Sequence, residues 1–496
     1  MRRTNGPGDL GVHFSDFFEV STDDLHSYGA FNISLVNDLP LFVDPFLLFN
    51  ADKAEYQRLH TSIIHYMRFL RDAAIEGIEK GLLEVWFRFP EVKQNWLGFS
   101  LAGNEGHGLG GDFADALGQN LRSTFSDFGE ETVTNGSHIE KLSLVRRGVG
   151  RDNISDFTTN LIKEFLAEYT QTFAIEHIDS RLRKHFSLEK VRFNYETRSW
   201  MRRTYDLPCH NEDFVLLTPK DILTKDESWI NRAELLDRLP EIAVSLPDEA
   251  LRAQVNDYLR RVLPVGTELS RKEQHEIAGR VIQRFPQVLD YYIRVKEEHG
   301  DRASSVAKQR VAEVEAIFVE QVRQLVSTLH SETAFYQTPS DTYDEARRRL
   351  LFLKDVIENK GGHHIFYVNG RPIGRESDLQ ILYRLTWFAT LSDISREVND
   401  GRGPADFKVS KGAHNKTLVE FKLAKNSHLE RNLAKQSAVY EAASDATQPS
   451  LKAITYFSEA ELDRTKKILK KLGLSKSSHV VLIDARADNK PSGSRA

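Results

Sequence analysis

The chain has 496 residues, of which 40% are hydrophobic and 28% charged, with a formal net charge of -5; that composition belongs to soluble globular proteins, and the length predicts two to four domains. A single cysteine, Cys209, excludes an internal disulfide and any thiolate-based zinc or iron–sulfur site, and suits the reducing cytoplasm. No apolar run approaches membrane-spanning length, and the opening MRRTNGPG lacks the apolar core of a signal peptide.

In chain order, Phe31–Leu35 and Leu41–Val43 read as short strands, with Asp38 and Asp44 as turn and cap residues at their ends. A long helix is predicted from about Asp52 to Lys80, its apolar stripe formed by Tyr56, Leu59, Ile63, Tyr66, Met67 and Leu70. Leu82–Phe89 and Trp96–Leu101 read as strands. They lead into a glycine-rich loop, Gly103–Gly111, before a helix beginning near Asp112. Gly106, Gly108 and Gly111 fit the letters of a dinucleotide template, and such a loop can cradle phosphate on free N–H groups. No lysine follows it as in a nucleotide-hydrolysing loop, so a flexible turn is the competing reading. Gly148–Asn160 introduces a helix to about Phe173, with Asp152 or Asn153 as N-cap and Asp156 in the first turn. A polar pocket of Arg151, Asp152 and Asp156 is the functional alternative. Strands at Val191–Thr197 and Phe214–Thr218 complete a mixed α/β body.

From Glu227 to Ile357 the pattern is helical, punctuated by Pro240, Pro247, Pro264 and Pro286. Within it, Ala307–Leu329 carries Val311, Val314, Ile317, Phe318, Val322 and Leu325 at three-four spacing, which suits either an intramolecular bundle or a dimerisation arm. A glycine break follows at Lys360-Gly361-Gly362, then a hairpin closed by Asn369-Gly370.

The last quarter carries the chemistry. Glu376–Thr390 has Leu379, Leu382, Tyr383 and Trp387 at helical spacing. In a strand around Val-Glu-Phe-Lys-Leu, Val419, Phe421 and Leu423 alternate with Glu420 and Lys422, the pattern of a half-buried strand. The stretch from Asp406 to Ser410 reads as its neighbour, folded back by the turn-rich Lys411–Asn415 so that Asp406 lies beside Glu420. Two hard oxygen ligands with an adjacent ammonium suit Mg²⁺ or Mn²⁺ and the activation of an attacking water. A helix at His428–Ser444 places Gln436 and Tyr440 one turn apart, and strand Leu451–Phe457, helix Glu459–Leu472 and strand Val480–Ile483 follow. Residues 361–486 hold 20 Lys/Arg against 14 Asp/Glu, so this stretch is +6 and the remainder -11. A basic module on an acidic body fits a phosphate-backbone binder.

Asp406 followed by Glu420-Phe421-Lys422 resembles the motif of the PD-(D/E)xK nuclease superfamily, with the usual Pro-Asp loosened to Pro404-Ala405-Asp406. Gln436-x-x-x-Tyr440 looks like the additional motif of its exonuclease-like and defence-associated branches, and Glu376 is in the position of the first-helix acid. The resemblance implies a restriction-endonuclease-like α-β-β-β-α-β core, of which one meander strand is not legible. It also implies metal ligation by Asp406, Glu420 and Glu376, assistance by Lys422, and substrate-side roles for Gln436 and Tyr440. The expectation is a multidomain α/β protein: a mixed α/β body over 1–225 that senses a trigger or binds a partner, a helical region over 226–359, a nuclease domain over 360–486 and a disordered tail over 487–496. Its expected activity is Mg²⁺- or Mn²⁺-dependent cleavage of DNA, endonucleolytic, by a homo-oligomer in an antiviral or restriction-like setting, with RNA as a further substrate class. The alternatives are a non-catalytic nucleic-acid-binding scaffold with a nuclease-like fold and a nucleotide-binding regulator centred on the Gly103 loop.

Overall fold

Tyr56, Ile63, Tyr66, Met67 and Leu70 recur at helical spacing, and this stripe is buried along α1 (Ala54–Glu76). The computed structural model describes residues 11–77, 79–98, 128–145, 149–225, 227–262, 270–336, 341–387, 393–395, 407–411, 415–434 and 449–490. The Gly103–Gly111 loop and the helix expected near Asp112 lie outside the described residues, as do Asp406, Gln436 and Tyr440.

Around α1 pack α2 (Arg151–Leu161), α3 (Lys163–His177) and an antiparallel hairpin of β1 (Arg183–Asn194) and β2 (Ser199–His210). The expected single helix to Phe173 is instead two, because Ile162 (φ -101°, ψ 14°) leaves the helical region between them. Its N-cap is Gly150, and the Asn153 side chain accepts a hydrogen bond from the Gly150 N–H at 3.0 Å. The sequence expectation is also wrong at Leu82–Phe89, where Lys80–Trp86 is helical. Phe31–Leu35 makes a single isolated bridge, Ser34 with His13. Beyond Phe214 the expected strand is irregular: Leu216 N–H bonds the Gln94 carbonyl and Leu217 N–H the Thr170 hydroxyl, so its donors are met one at a time without a ladder. Asp44 does cap a helix, accepting from Phe46 N–H at the start of Pro45–Asn50.

The helical middle has its own core, in which Leu235, Leu239, Val255, Val281, Leu289 and Ile293 come from four successive helices between Arg232 and Glu298. A rod follows: α4 (Gly300–Glu315), a π-helical turn (Ala316–Gln321) and α5 (Val322–Glu332). Its stripe, Val311 to Leu325, is buried inside the chain, so of the two readings of that stripe the intramolecular one is observed. α4 packs on Pro45–Asn50 and Lys220–Thr224 of the N-terminal body, whereas α5 packs on α6 (Thr342–Asn359) and α7 (Glu376–Thr386). Between them the Phe318 carbonyl lies 2.8 Å from Nε2 of the buried His13.

After the Gly361 break, Asn369 (φ 51°) and Gly370 (φ 74°) close the expected two-residue hairpin, both in the left-handed region such a turn demands. The C-terminal sheet has five strands: β3 (Asp393–Ser395), β4 (Phe407–Ser410), β5 (Lys416–Leu423), β6 (Leu451–Tyr456) and β7 (Val480–Asp484), in spatial order β7-β6-β5-β4-β3. β3, β4 and β5 form an antiparallel meander, and β5, β6 and β7 run parallel. The three-residue β3 was not legible in the sequence. α5, α6 and α7 cover the face bearing Phe421 and Thr455, while α8 (Glu459–Lys471) and residues 429–434 cover the other through Leu429, Leu433, Leu462 and Ile468. α6 is tied to both ends of this sheet: Thr342 Oγ1 lies 2.9 Å from Thr417 Oγ1, and Lys354 Nζ donates to the Leu482 carbonyl at 2.6 Å. Residues 487–490 are held as well, Asn489 donating to the Asp484 carboxylate at 2.9 Å.

Candidate active site

Alternation along β5 puts Val419, Phe421 and Leu423 on the face that meets α7, where the Tyr383 ring lies 4.5 Å from that of Phe421. Glu420 and Lys422 therefore share the opposite face. That face was expected to be open to solvent, yet Glu420 is 1% exposed and Lys422 5%, because the strand is central and covered on both sides. Parallel register sets Lys452 of β6 directly across from Glu420 on the same face. Lys452 is also buried, and its ammonium donates to the Ser450 hydroxyl at 2.7 Å and the Ser450 carbonyl at 3.3 Å.

Glu376 opens α7 and is aimed at the end of β5. Its Oε1 accepts from the Leu423 N–H at 3.2 Å and from Asn426 Nδ2 at 2.8 Å, and its Oε2 lies 3.8 Å from Lys422 Nζ. The acid thus sits at the helix N-terminus, where the dipole favours it, and is oriented by a backbone donor of the strand it serves. Lys425 nearby donates to the Ile373 carbonyl at 3.0 Å. Of the residues expected at the site, Glu376, Glu420 and Lys422 are brought together here. Asp406 is outside the described residues, but Phe407, which follows it, pairs with Val419 next to Glu420. Sequence reasoning missed Asn426, Ser450 and Lys452. Lys452 carried a signal, being a lone cation inside an apolar strand in phase with Glu420, whereas the Asn426 contact depends on the turn after β5.

Among the described residues no group of three or more His, Cys, Asp or Glu is arranged to hold a metal ion. The described part of the site offers two carboxylates, hard oxygen donors of the kind that suit Mg²⁺ or Mn²⁺.

Two buried acid groups lie elsewhere. Asp38, expected at a chain turn, is buried: one of its oxygens has no hydrogen-bond partner, and burial followed by Glu91 and Asp156 raises its pKa. Asp156 is pushed up to about 7 by burial, then by Glu91 and Asp152. Of the expected Arg151, Asp152 and Asp156 set, Arg151 lies 3.9 Å from Asp152, and its guanidinium also stacks on Phe42 at 4.6 Å and pairs with Glu227 at 3.5 Å. Near the helical middle, His138 Nε2 lies 2.8 Å from Glu297 Oε1, and both side chains are fully buried. Glu140 beside it is fully buried, and burial, then Asp44, raises its pKa. A cavity lies away from both acid groups and the C-terminal sheet, between α1, the α2–α3 break and the β1–β2 hairpin.

Residues 19–231 match the family model of a domain of unknown function, DUF8370, and residues 342–459 that of a second, DUF8371. The latter span starts at the first residue of α6 and takes in α7 and β3 to β6. No curated protein and no solved structure matches the chain.

Proposed function

We propose that the C-terminal sheet is the catalytic core of a metal-dependent phosphodiesterase acting on DNA, built on a restriction-endonuclease-like scaffold. The observation that carries this reading is an acid–acid–lysine set at the end of a buried strand in a mixed sheet, with Glu420 and Lys422 on one face of β5 and Glu376 3.8 Å from Lys422. Glu420 and Lys422 are buried and Glu376 is partly exposed, and burying ionisable groups costs stability unless they are paired or employed.

In this reading Asp406 and Glu420 hold Mg²⁺ or Mn²⁺, and Glu376 completes the shell directly or through water. The metal supplies a water acidified near neutral pH and a counter-charge for the phosphate oxygens. Glu376 also fixes Lys422: its carboxylate keeps the ammonium at the strand end, where Lys422 orients the attacking water and offsets charge on the phosphate. Gln436 and Tyr440 line the substrate side. The excess of Lys and Arg in residues 361–486 attracts a polyanion, and the acidic N-terminal body confines cutting to the right circumstances.

The test is cleavage of linear duplex, circular and single-stranded DNA, with an RNA arm, in Mg²⁺, Mn²⁺ and EDTA. Metal-dependent cutting lost in Glu420→Ala and Lys422→Ala supports the assignment. Cleavage that survives EDTA, or that persists in Asp406→Ala, sinks it.

A further inference from the structure

The cavity in the N-terminal body has a volume of about 570 Å³, within the range of about 300–1,000 Å³ common for small-ligand sites. It exists because α1 and the break at Ile162 hold the β1–β2 hairpin away from the helices on one side. Three kinds of group line it, and each needs a different partner.

The first is aromatic. His65 of α1 and Tyr195 at the hairpin tip stack with ring centres 4.1 Å apart and planes 21° from parallel. Trp200 and Phe165 are half-exposed beside them, with Tyr66 and Phe193 as the buried floor. A soluble domain that leaves several aromatic faces around a concavity has a surface suited to a flat, apolar ring.

The second is cationic. Arg58 is exposed on α1 and has no ion pair among the described residues, while Arg192 reaches Glu164 only at 3.9 Å. Arg203 is committed, at 2.5 Å from Glu164 and 3.8 Å from Glu168. The third is a set of acceptors, Glu55, Glu164 and Glu168, on the same walls.

A nucleotide uses all three within one small molecule. Its base stacks on the aromatic wall, its ribose hydroxyls donate to carboxylates, and its phosphate meets an arginine. We infer that this cleft binds a nucleotide, mononucleotide or dinucleotide in size, with the base between Tyr195 and Trp200 and the phosphate on Arg58 and Arg192. The site is separate from the Gly103–Gly111 loop and does not depend on the nuclease reading. It gives the N-terminal body a chemical signal to read.

The experiment titrates the full chain calorimetrically with AMP, GMP, CMP and UMP, their nucleosides, inorganic phosphate and an arginine dipeptide, with tryptophan fluorescence as a second readout. Saturable nucleotide binding below about 1 mM is expected, with quenching because Trp200 lines the cleft. Arg58→Ala, at an exposed helix position, should weaken nucleotides by about tenfold and leave nucleosides unchanged. Tyr195→Ala should weaken both by about tenfold, and His65→Ala serves if that variant melts early. Absence of saturable nucleotide binding in the wild-type chain overturns the inference. So does binding indifferent to both substitutions, or tighter binding of the arginine dipeptide than of any nucleotide.

Discussion

Lys422 and Glu376 come from different elements, a strand and the first turn of a helix, yet Nζ and Oε2 stand 3.8 Å apart with the other Glu376 oxygen held by the Leu423 N–H. The helix is in effect docked onto β5 through this carboxylate. Glu376→Gln keeps an acceptor for Leu423 and Asn426 but deletes the charge that positions Lys422. Cleavage should fall by about 10–100-fold, the usual effect of losing an orienting partner at a metal site, at an almost unchanged melting temperature. Wild-type rates in this variant would show that the acid has no part in the chemistry.

A second pair of charges lies under the same sheet. Arg349 and Glu345 are both 1% exposed, 3.0 Å apart on α6, with the guanidinium 4.5 Å from the ring centre of Trp387. Glu345→Ala leaves a buried guanidinium without its carboxylate and should destabilise the protein by about 3–5 kcal/mol, whereas the double change Glu345→Met with Arg349→Met should cost much less. Chemical denaturation of the three proteins decides it; equal losses in the single and double variants would mean that the pair is not what matters there.

Stability should also depend on pH in a window set by Asp156. Its folded pKa of about 7 lies above its ordinary value of 3.8, so between those values the folded state holds a proton that the unfolded chain has released. Stability therefore falls as pH rises from about 4 to about 7 and levels off beyond. Asp156→Asn removes this titration, so its melting temperature should drop less over that window and lie above wild type at pH 8. Glu140→Gln should act in the same direction, since burial raises that carboxyl too. Parallel melting curves for wild type and both variants would count against these pKa shifts.

The position of α6 bears on fragments. A piece starting at Lys360 retains β3 to β7 but loses Leu350, Leu353, Val356 and Ile357, which cover the Phe421 face. Such a piece should unfold without a cooperative transition, while one starting at Gly300 retains α4, α5 and α6 and should melt sharply. Comparing the latter with the full chain on one substrate panel measures control by the N-terminal body: less discrimination by the fragment is the expected result, and equal rate and selectivity would exclude such control.

Local chemistry made some elements legible and tertiary context hid others. Asn369-Gly370 specifies its turn by backbone preference alone, and the glycine break at Gly361 ends a helix as expected. The apolar run at Leu82–Phe89 is compatible with strand or helix, and packing chose the helix. Only Val191–Thr197 of the hairpin was visible, because charged residues stand on both faces of its strands, Lys184 and Arg202 exposed and Arg183 and Arg203 half-buried, and break the apolar alternation. At the site, Glu420 and Lys422 could be found from their spacing. Their burial could not, since it depends on β6, joined to β5 only through 27 intervening residues between Leu423 and Leu451.

The π-helical turn at Ala316–Gln321 has a geometrical consequence. One residue more per turn than an α-helix shifts everything after it by about 100° around the axis. The rod therefore does not present one continuous seam: Val311 and Val314 keep one phase and Leu325, Val326 and Leu329 another. The N-terminal elements packed on α4 and the helices α6 and α7 packed on α5 can then share a single rod within one continuous core. The widened turn acts as a phase adapter, and His13 grips it at the Phe318 carbonyl. Tightening this turn by one residue would rotate α5 against α6 and α7 and, with them, the helix end that carries Glu376.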